Sequence, residues 1–203
     1  MEIVGLCGGS GSGKGTVAML LAEYGFKHID TDAVYHRLIS YPSPCVRELV
    51  DEFGMGIMKD GKLDRSELWR VVFGEDGSGE KKRTLNRITH KHILVRTKEL
   101  IEKYKSEGAS VVLVDAPLLF ESDFNKICSS IICVVADENI RKARIMERDG
   151  IDDMRARMRI RFQLPDSYLM ENSDYCITNN GSLEDLEKEA RRIADLILNK
   201  GDK

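Results

Sequence analysis

The chain has 203 residues, of which 42% are hydrophobic and 32% are charged, and its formal net charge is −3. A chain of this size and composition can build a hydrophobic core without disulfides, which excludes intrinsic disorder and a disulfide-stabilised scaffold. Its longest apolar runs are six residues, against the ~20 that a membrane-spanning helix needs, so no membrane association is expected. The slightly acidic total disfavours nucleic acid as a partner. Five scattered cysteines without a CxxC pair indicate reduced thiols and a cytoplasmic protein.

Short apolar segments alternate with helical patterns along the chain. The predicted strands are Met1–Cys7, Phe26–Ile29, Val111–Val114, Ile131–Val135 and the shorter Tyr175–Ile177. Apolar residues three and four apart predict a helix after the first strand, and a capping box of Ser182 and Asp185 predicts the start of a C-terminal helix. Strands separated by helices form parallel sheets through βαβ crossovers. We therefore predict an α/β fold with a five-stranded parallel sheet.

The interval from about residue 33 to about residue 108 is too long for one crossover helix. Turn signals at 41–44, 59–62 and 74–79 divide it into segments that have helical patterns. We predict a mostly helical insertion in the α/β core at this place, within one domain that covers residues 1–203.

A glycine-rich loop follows the first predicted strand. Gly8, Gly13 and Lys14 have the spacing of a phosphate-binding loop, and they lie between a predicted strand and a predicted helix, as this motif requires. Backbone N–H groups of such a loop surround phosphate oxygens, and the lysine reaches the outer phosphates. The hydroxyl residue that usually follows the lysine is replaced by Gly15, with Thr16 next. The loop predicts nucleotide binding, and the alternative is a flexible turn between strand and helix.

Acidic residues end two of the predicted strands. If the strand conformation continues beyond Ile29, Asp30 and Asp32 point to the same side, at the sheet edge where ligands bind in doubly wound folds. A carboxylate there can accept a proton from a substrate hydroxyl that attacks phosphorus. Asp115 ends the third strand and is a candidate to hold a metal ion through water. The alternative for each of these residues is a helix cap or a turn.

Positive charge is concentrated near the end of the chain. Between Arg141 and Arg161 there are seven arginines and one lysine against four acids. Arg144 and Arg148 lie four residues apart and share one helix face. Guanidinium groups on a closing lid stabilise the charge of a transferring phosphoryl group and exclude water. The alternative is a solvated charged helix, and for residues 155–161 both interpretations stay open.

Several segments of the chain together resemble the dephospho-CoA kinase family of the phosphate-loop NTPases. In chain order these segments are GLCGGSGSGKGTVA, HIDTDAVYH, DGKLDRSEL, LNRITH, DAPLLFE, RKARIMERDG, QLP and DYCITN. The PLLFE string is the most characteristic of them. Three positions depart from the family pattern: Gly15 replaces a serine, Lys91 replaces a proline, and Leu169 replaces an expected lysine.

The resemblance implies a three-layer P-loop NTPase fold with a helical acceptor-binding insertion at about 33–108 and a small lid at about 138–163. It implies transfer of the γ-phosphate of ATP to the 3′-hydroxyl of dephospho-CoA, the last step of coenzyme A synthesis, with Mg²⁺. The implied catalytic residues are Asp32 as the base, Asp30, Lys14, Arg144 and Arg148. The implied ATP-binding residues are Gly11, Ser12, Gly13, Lys14, Gly15, Thr16 and Asn179, the last of these against the adenine. The implied acceptor-binding residues are Asp32, His90, Pro117, Leu118, Leu119, Phe120 and Glu121, and the implied metal-binding residues are Thr16 and Asp115.

Two other functions compete with this one. GSGKGT and Ile29-Asp30-Thr31 also resemble cytidylate-type nucleoside monophosphate kinases, although PLLFE and the Asp-x-Asp pair favour the first family. A nucleotide-binding module with reduced catalysis would explain Gly15 and Leu169. The presence of Lys14 and Asp32 argues against such a loss.

Overall fold

The computed structural model describes residues 1–40, 42–74 and 79–199, which divide by their contacts into two units. The first unit comprises Met1–Ile29 and the chain from Glu102 onward, and the second is Asp30–Ile101. The second unit is thus inserted in sequence between two strands of the first. Its bounds lie close to those predicted for the insertion.

The elements are numbered in chain order. The strands are β1 (Glu2–Cys7), β2 (Lys27–Asp30), β3 (Met58–Lys59), β4 (Lys62–Leu63), β5 (Val111–Asp115), β6 (Ser130–Val135) and β7 (Tyr175–Thr178). The helices are α1 (Lys14–Glu23), α2 (Thr31–Ser40), α3 (Pro44–Phe53), α4 (Arg65–Phe73), α5 (Glu80–Ser106), α6 (Glu138–Asp149), α7 (Asp153–Arg161), α8 (Asp166–Glu171) and α9 (Leu183–Leu198). Short 3₁₀ turns lie at Met55–Ile57 and Phe124–Ile127.

A five-stranded sheet with the order β2-β5-β1-β6-β7 forms the centre of the first unit. β1 pairs in parallel with β5 and with β6, and β6 pairs in parallel with β7. Every residue of β5 and β6 is buried, as expected for parallel strands that helices cover on both faces. The five strands predicted from apolar runs are therefore confirmed.

Helices α1 and α9 supply much of the apolar surface that covers this sheet. Val17 and Leu21 of α1 pack with Ile193 and Ile197 of α9 in one core cluster, which also contains Val4 of the central strand. The predicted capping box of α9 is present, because Ser182 accepts from the Asp185 backbone N–H and the Asp185 side chain accepts from Ser182 N–H. None of the described helices carries an apolar stretch that could cross a bilayer.

The second unit is mostly helical, as the sequence predicts, and also contains a hairpin that the sequence patterns did not reveal. Strands β3 and β4 pair antiparallel through a turn in which Asp60 and Gly61 have φ of 50° and 74°. A two-residue turn in which both residues have a positive φ matches the right-handed twist of the two strands that it joins. Helices α2 to α5 pack around a second core that includes Leu49, Ile57 and Ile88. The turns predicted at 41–44 and 74–79 fall partly outside the described residues, at 41 and 75–78.

Helix α5 runs for 27 residues and passes through Lys91 without a break. The Lys91 ammonium donates to Glu48 of α3 at 2.9 Å, and His92 Nε2 lies 2.7 Å from the same carboxylate oxygen. The position at which the family has proline is therefore a helix interior here, where the residue ties α5 to α3.

The five cysteines are unpaired thiols, as the sequence predicts. Burial raises the pKa of Cys7 to about 11 and that of Cys133 to about 12. These thiols therefore stay protonated at neutral pH and pack as small apolar groups.

Candidate active site

The glycine-rich loop connects β1 to the first turn of α1 in the first unit. Gly13 precedes the helix with a φ of 94°, a left-handed conformation that favours glycine. Its carbonyl accepts from Thr16 N–H and Val17 N–H, which fixes the start of α1. The N-terminus of α1 thus ends the loop and contributes the partial positive charge that favours an anion.

Ser12 is fully buried inside the loop, and its hydroxyl has no hydrogen-bond partner among the described residues. Its backbone carbonyl accepts from the side-chain amide of Asn179 at 2.8 Å. The amide of Asn179 also fills the space next to Gly13, where a β-carbon would collide with it. Asn179, predicted to contact adenine, is therefore one of the groups that support the phosphate loop.

Lys14, the first residue of α1, forms an ion pair with Asp115, the last residue of β5; Asp115 is buried and Lys14 is partly exposed. The Lys14 ammonium donates to one oxygen of Asp115, and His28 Nε2 lies 3.4 Å from the other. Burial tends to raise the pKa of Asp115, but the contacts with His28 and Lys14 outweigh burial and lower this pKa below its ordinary value of 3.8. Lys14 is therefore held at the loop by a charged carboxylate.

This ion pair predicts how stability depends on pH. A carboxyl whose pKa is lower in the folded state stabilises the fold above its ordinary pKa, and this contribution is lost as pH falls through the folded value. The difference in unfolding free energy between wild type and Asp115→Asn should be largest near neutral pH and should shrink below about pH 4. Urea unfolding at a series of pH values measures it. A difference that stays constant down to about pH 2 would contradict the assignment.

Two arginines of α6, Arg144 and Arg148, contact the loop. Arg144 Nη1 donates to the carbonyls of Gly11 at 3.3 Å and Asn179 at 3.2 Å. Arg148 Nη2 donates to Ser10 Oγ at 3.3 Å, while its guanidinium also makes two bonds to Asp149 at 2.8 and 2.9 Å. Both guanidinium groups thus lie beside the phosphate-binding loop.

The later arginines of the same segment form exposed ion pairs with acids of α6 and α7 and with Asp152 between them. Arg155 pairs with Asp152, Arg157 with Asp153, and Arg159 with Asp149. Such surface pairs contribute little to stability. Their arrangement fits the solvated-helix alternative, and a catalytic role for them has no support from contacts with the loop.

A cleft of about 460 Å³, a volume that includes its open mouth, lies beside the loop in the first unit. Its lining comprises Cys7, Gly8, Gly9, Pro117, Leu118, Leu119, Phe120, Glu121, Phe162, Gln163, Leu164 and Leu169. The PLLFE segment forms a series of turns after β5, with Leu119 buried and the Phe120 ring packed edge-to-face on Tyr168. Leu169, where lysine was expected, is buried in the cleft wall. The whole predicted acceptor segment therefore borders the phosphate loop.

Three of the predicted site residues, Asp30, Asp32 and His90, belong to the second unit. β2 ends at Asp30, whose side chain accepts from the backbone N–H groups of Asp32 at 2.9 Å and Ala33 at 3.1 Å. Asp30 therefore caps α2, and the premise that the strand conformation continues through Asp32 is wrong. Asp32 lies exposed in the first turn of α2, and His90 lies half-buried in α5.

Sequence patterns missed three polar residues of this site. His28 contacts Asp115, while Arg141 and Gln163 bind the backbone of Ser10. His28 carries no motif, although its place two residues before Asp30 on a strand that ends at the site was a usable signal. The contacts of Arg141 and Gln163 join residues more than 130 positions apart, and no local pattern reveals them.

Thr16 supplies a hydroxyl and Asp115 a carboxylate, which are oxygen ligands of the kinds that Mg²⁺ accepts. This ion takes one or two carboxylates or hydroxyls together with waters and substrate phosphates, and does not require a cage of protein ligands. The described residues contain no group of three or more His, Cys, Asp and Glu side chains that could hold a metal by themselves. Asp115 is buried and ionised beside the loop lysine, so it can serve as the carboxylate of a Mg²⁺ site that is completed by waters and substrate phosphates.

Comparison with known proteins identifies the family. A family model described as dephospho-CoA kinase matches residues 2–185. Dephospho-CoA kinases from Corynebacterium glutamicum and Fusobacterium nucleatum are 36% and 39% identical, over 97% and 96% of this chain and 98% of each relative. A crystal structure from Thermus thermophilus matches with a TM-score of 0.78 and 30% identity, over 96% of this chain and 97% of that one. The chain belongs to the dephospho-CoA kinase family.

Proposed function

We propose that the chain transfers the γ-phosphate of ATP to the 3′-hydroxyl of dephospho-CoA, giving coenzyme A and ADP. The observation that carries this proposal is the phosphate loop with Lys14, Arg144 and Arg148 around it and the PLLFE cleft at its side, in a member of this family. The cytidylate-type alternative has no comparable observation in its favour. Reduced catalysis is also disfavoured, since the loop retains its lysine and both arginines.

The loop and its cations would act on the ATP phosphates. Backbone N–H groups of Gly11–Thr16, in the loop and at the start of α1, would donate to phosphate oxygens. The Lys14 ammonium, held by Asp115, would turn to the outer phosphates when ATP binds. Arg144 and Arg148 would stabilise the negative charge that spreads over the transferring phosphoryl group.

We assign Asp32 as the general base and Asp30 as its assistant through the cap of α2. The Asp32 carboxylate would accept the proton of the 3′-hydroxyl. The hydroxyl oxygen forms its bond to the γ-phosphorus while the bond between this phosphorus and the leaving oxygen of ADP breaks. Asn179 is proposed at the adenine side of the loop. The acceptor would be held by His90 and by the segment Pro117–Glu121, whose apolar side chains suit the non-polar part of such a ligand.

We propose that Thr16 and Asp115 hold Mg²⁺ together with the ATP phosphates. The ion would neutralise phosphate charge during transfer. Gly15 is exposed, and a β-carbon built there meets no atom within 4 Å, so a serine at this position fits without displacing any neighbour.

Gly15→Ser tests the metal assignment. Its added hydroxyl at the position after the loop lysine should lower the Mg²⁺ concentration that gives half-maximal rate by about threefold or more, because hydroxyl oxygen is a ligand that Mg²⁺ accepts. Gly15→Ala is the matched control, since it makes the same change in backbone freedom without adding an oxygen. Equal Mg²⁺ curves for the serine and alanine variants would contradict this assignment.

Parallel assays with dephospho-CoA and CMP test the function itself. Purified enzyme with ATP and Mg²⁺ should phosphorylate dephospho-CoA and leave CMP unchanged, with coenzyme A detected by mass. Phosphorylation of CMP alone would favour the nucleoside monophosphate kinase. ATP binding without transfer to either acceptor would favour a module with reduced catalysis.

The cellular setting is a further part of the proposal. Five free cysteines with no disulfide suit the reducing cytoplasm, and the net charge of −3 does not favour nucleic acid as a partner. The proposed partners are therefore the small-molecule substrates ATP and dephospho-CoA.

A further inference from the structure

Arg141 is a buried arginine of α6 that packs directly onto the phosphate loop. Only 4% of its surface is exposed, and its Nε donates to the Ser10 carbonyl at 3.0 Å. A β-carbon built at Gly9 would collide with the guanidinium group, and one built at Gly11 would collide with the Arg141 main chain. Arg141 thus occupies the space that these two loop positions leave open.

Gln163, which follows α7, also binds the backbone of Ser10. Its Oε1 accepts from Ser10 N–H at 2.9 Å and from Arg141 Nη2 at 2.9 Å. The N–H of Ser10 is therefore bound by Gln163, and its carbonyl is bound by Arg141. Because Arg141 Nη2 donates to Oε1, it also sets which side of the Gln163 amide faces the loop.

A third contact anchors the guanidinium group itself. Arg141 Nη1 donates to Asp166 Oδ1 at 2.8 Å, so its three nitrogen atoms bind acceptors in the loop, after α7 and at the start of α8. The rigid planar fork of arginine can present donors in three fixed directions, which a lysine ammonium on a flexible stem cannot do. A buried guanidinium without these acceptors would be costly, so the arrangement is held as a unit.

The contacts that Arg141 and Gln163 make with Ser10 bear on ATP affinity. Ser10 lies between two glycines, and glycine loses more backbone freedom on ordering than any other residue. Ordering a loop when a ligand binds reduces affinity, and a loop that is already fixed avoids that loss. Contacts that bind both backbone polar groups of Ser10 can therefore order the loop before the phosphates bind.

We propose that Arg141 is a positioning residue that, with Gln163 and Asp166, preorganises the phosphate loop for ATP. The proposal rests on the proposed function only in taking ATP as the ligand of the loop. It assigns Arg141 a role through the Ser10 backbone and no contact with the transferring phosphoryl group.

Calorimetric titration of ATP into wild type and Arg141→Met, without acceptor, tests the proposal. The Kd for ATP should rise about tenfold in Arg141→Met, because the loop must then be ordered on binding. The KM for dephospho-CoA should stay within about twofold of the wild-type value. A general destabilisation of the fold would instead change the Kd for ATP and the KM for dephospho-CoA together. Arg192→Met, which removes an exposed arginine of α9 that pairs with Glu189, is the matched control and should change neither value.

Gln163→Leu alone provides a test that does not depend on the folding of Arg141→Met, and the double variant tests whether the two residues are coupled. Gln163→Leu alone should also weaken ATP binding, and adding Arg141→Met should cost no more than the larger single effect, because the two residues act as one unit. Arg141→Lys should fail to restore the wild-type Kd. Unchanged ATP affinity in the folded variants, equal losses for ATP and acceptor, or additive losses would each overturn the proposal. If wild type binds ATP but transfers no phosphate, the proposed function fails while this test remains valid.

Discussion

Asp32→Asn is expected to lower kcat by about 10²–10⁴-fold while the Kd for ATP stays nearly unchanged. Asparagine has the shape of aspartate but cannot accept the proton of the attacking hydroxyl. Asp32 is exposed in the first turn of α2, so its replacement removes no buried group from the core. Steady-state rates with dephospho-CoA, together with calorimetric ATP binding, measure the two quantities separately.

Two variants in the same unit serve as controls for Asp32→Asn. Asp51→Asn removes another exposed carboxylate, on α3, and should leave kcat unchanged. Asp30→Asn keeps the cap of α2, since asparagine is as good a cap as aspartate, and isolates the charge of the assisting residue. Its effect on kcat should be smaller than that of Asp32→Asn. Near-normal turnover of Asp32→Asn would remove Asp32 from the mechanism.

Lys14→Ala is expected to lower kcat/KM for ATP by at least about 10²-fold, with losses in both binding and rate. The structure adds a second consequence, because the Lys14 ammonium is the ion-pair partner of the buried Asp115 carboxylate. Without the ammonium, the buried Asp115 carboxylate keeps its contact with His28 but loses its paired cation, which costs up to about 3 kcal/mol of unfolding free energy. Urea unfolding and steady-state kinetics measure these two effects.

A double variant separates the stability effect of Lys14 from its functional effect. Lys14→Ala combined with Asp115→Asn removes the uncompensated charge, so it should recover much of the lost stability and none of the lost activity. If the double variant recovers activity, the role assigned to the Lys14 charge at the ATP phosphates is wrong. If stability does not recover, the ion pair with Asp115 is not the source of the loss.

Elements with strong local patterns were predictable from the sequence, and those set by distant contacts were not. β5 and β6 contain the unbroken apolar runs 111–114 and 131–135, and α9 begins at a capping box, so each carries its signal within a few residues. The hairpin of β3 and β4 has two-residue strands, which are too short to show any alternation. Its turn was nevertheless recognisable from Asp60-Gly61.

The residues of the candidate site were likewise predictable where a local spacing marks them. Loop spacing identified Lys14, and helical spacing placed Arg144 and Arg148 on one face that reaches the loop. The pairing of Asp30 and Asp32 on one strand face was wrong, because the Asp30 side chain instead begins a helix. Such a choice between strand and cap depends on backbone hydrogen bonds that a period-two pattern does not encode.

The contact between Arg141 and Gly9 constrains how these two positions can change during evolution. Unlike Gly11 and Gly13, Gly9 does not have a left-handed φ, and the three atoms nearest to a β-carbon built there all belong to the Arg141 side chain. Alanine at position 9 would therefore require the Arg141 guanidinium to move away from its three acceptors, whereas a shorter residue at position 141 would remove this obstruction. We therefore expect the two positions to be epistatic, with alanine at position 9 costing less stability when the residue at position 141 is shorter than arginine.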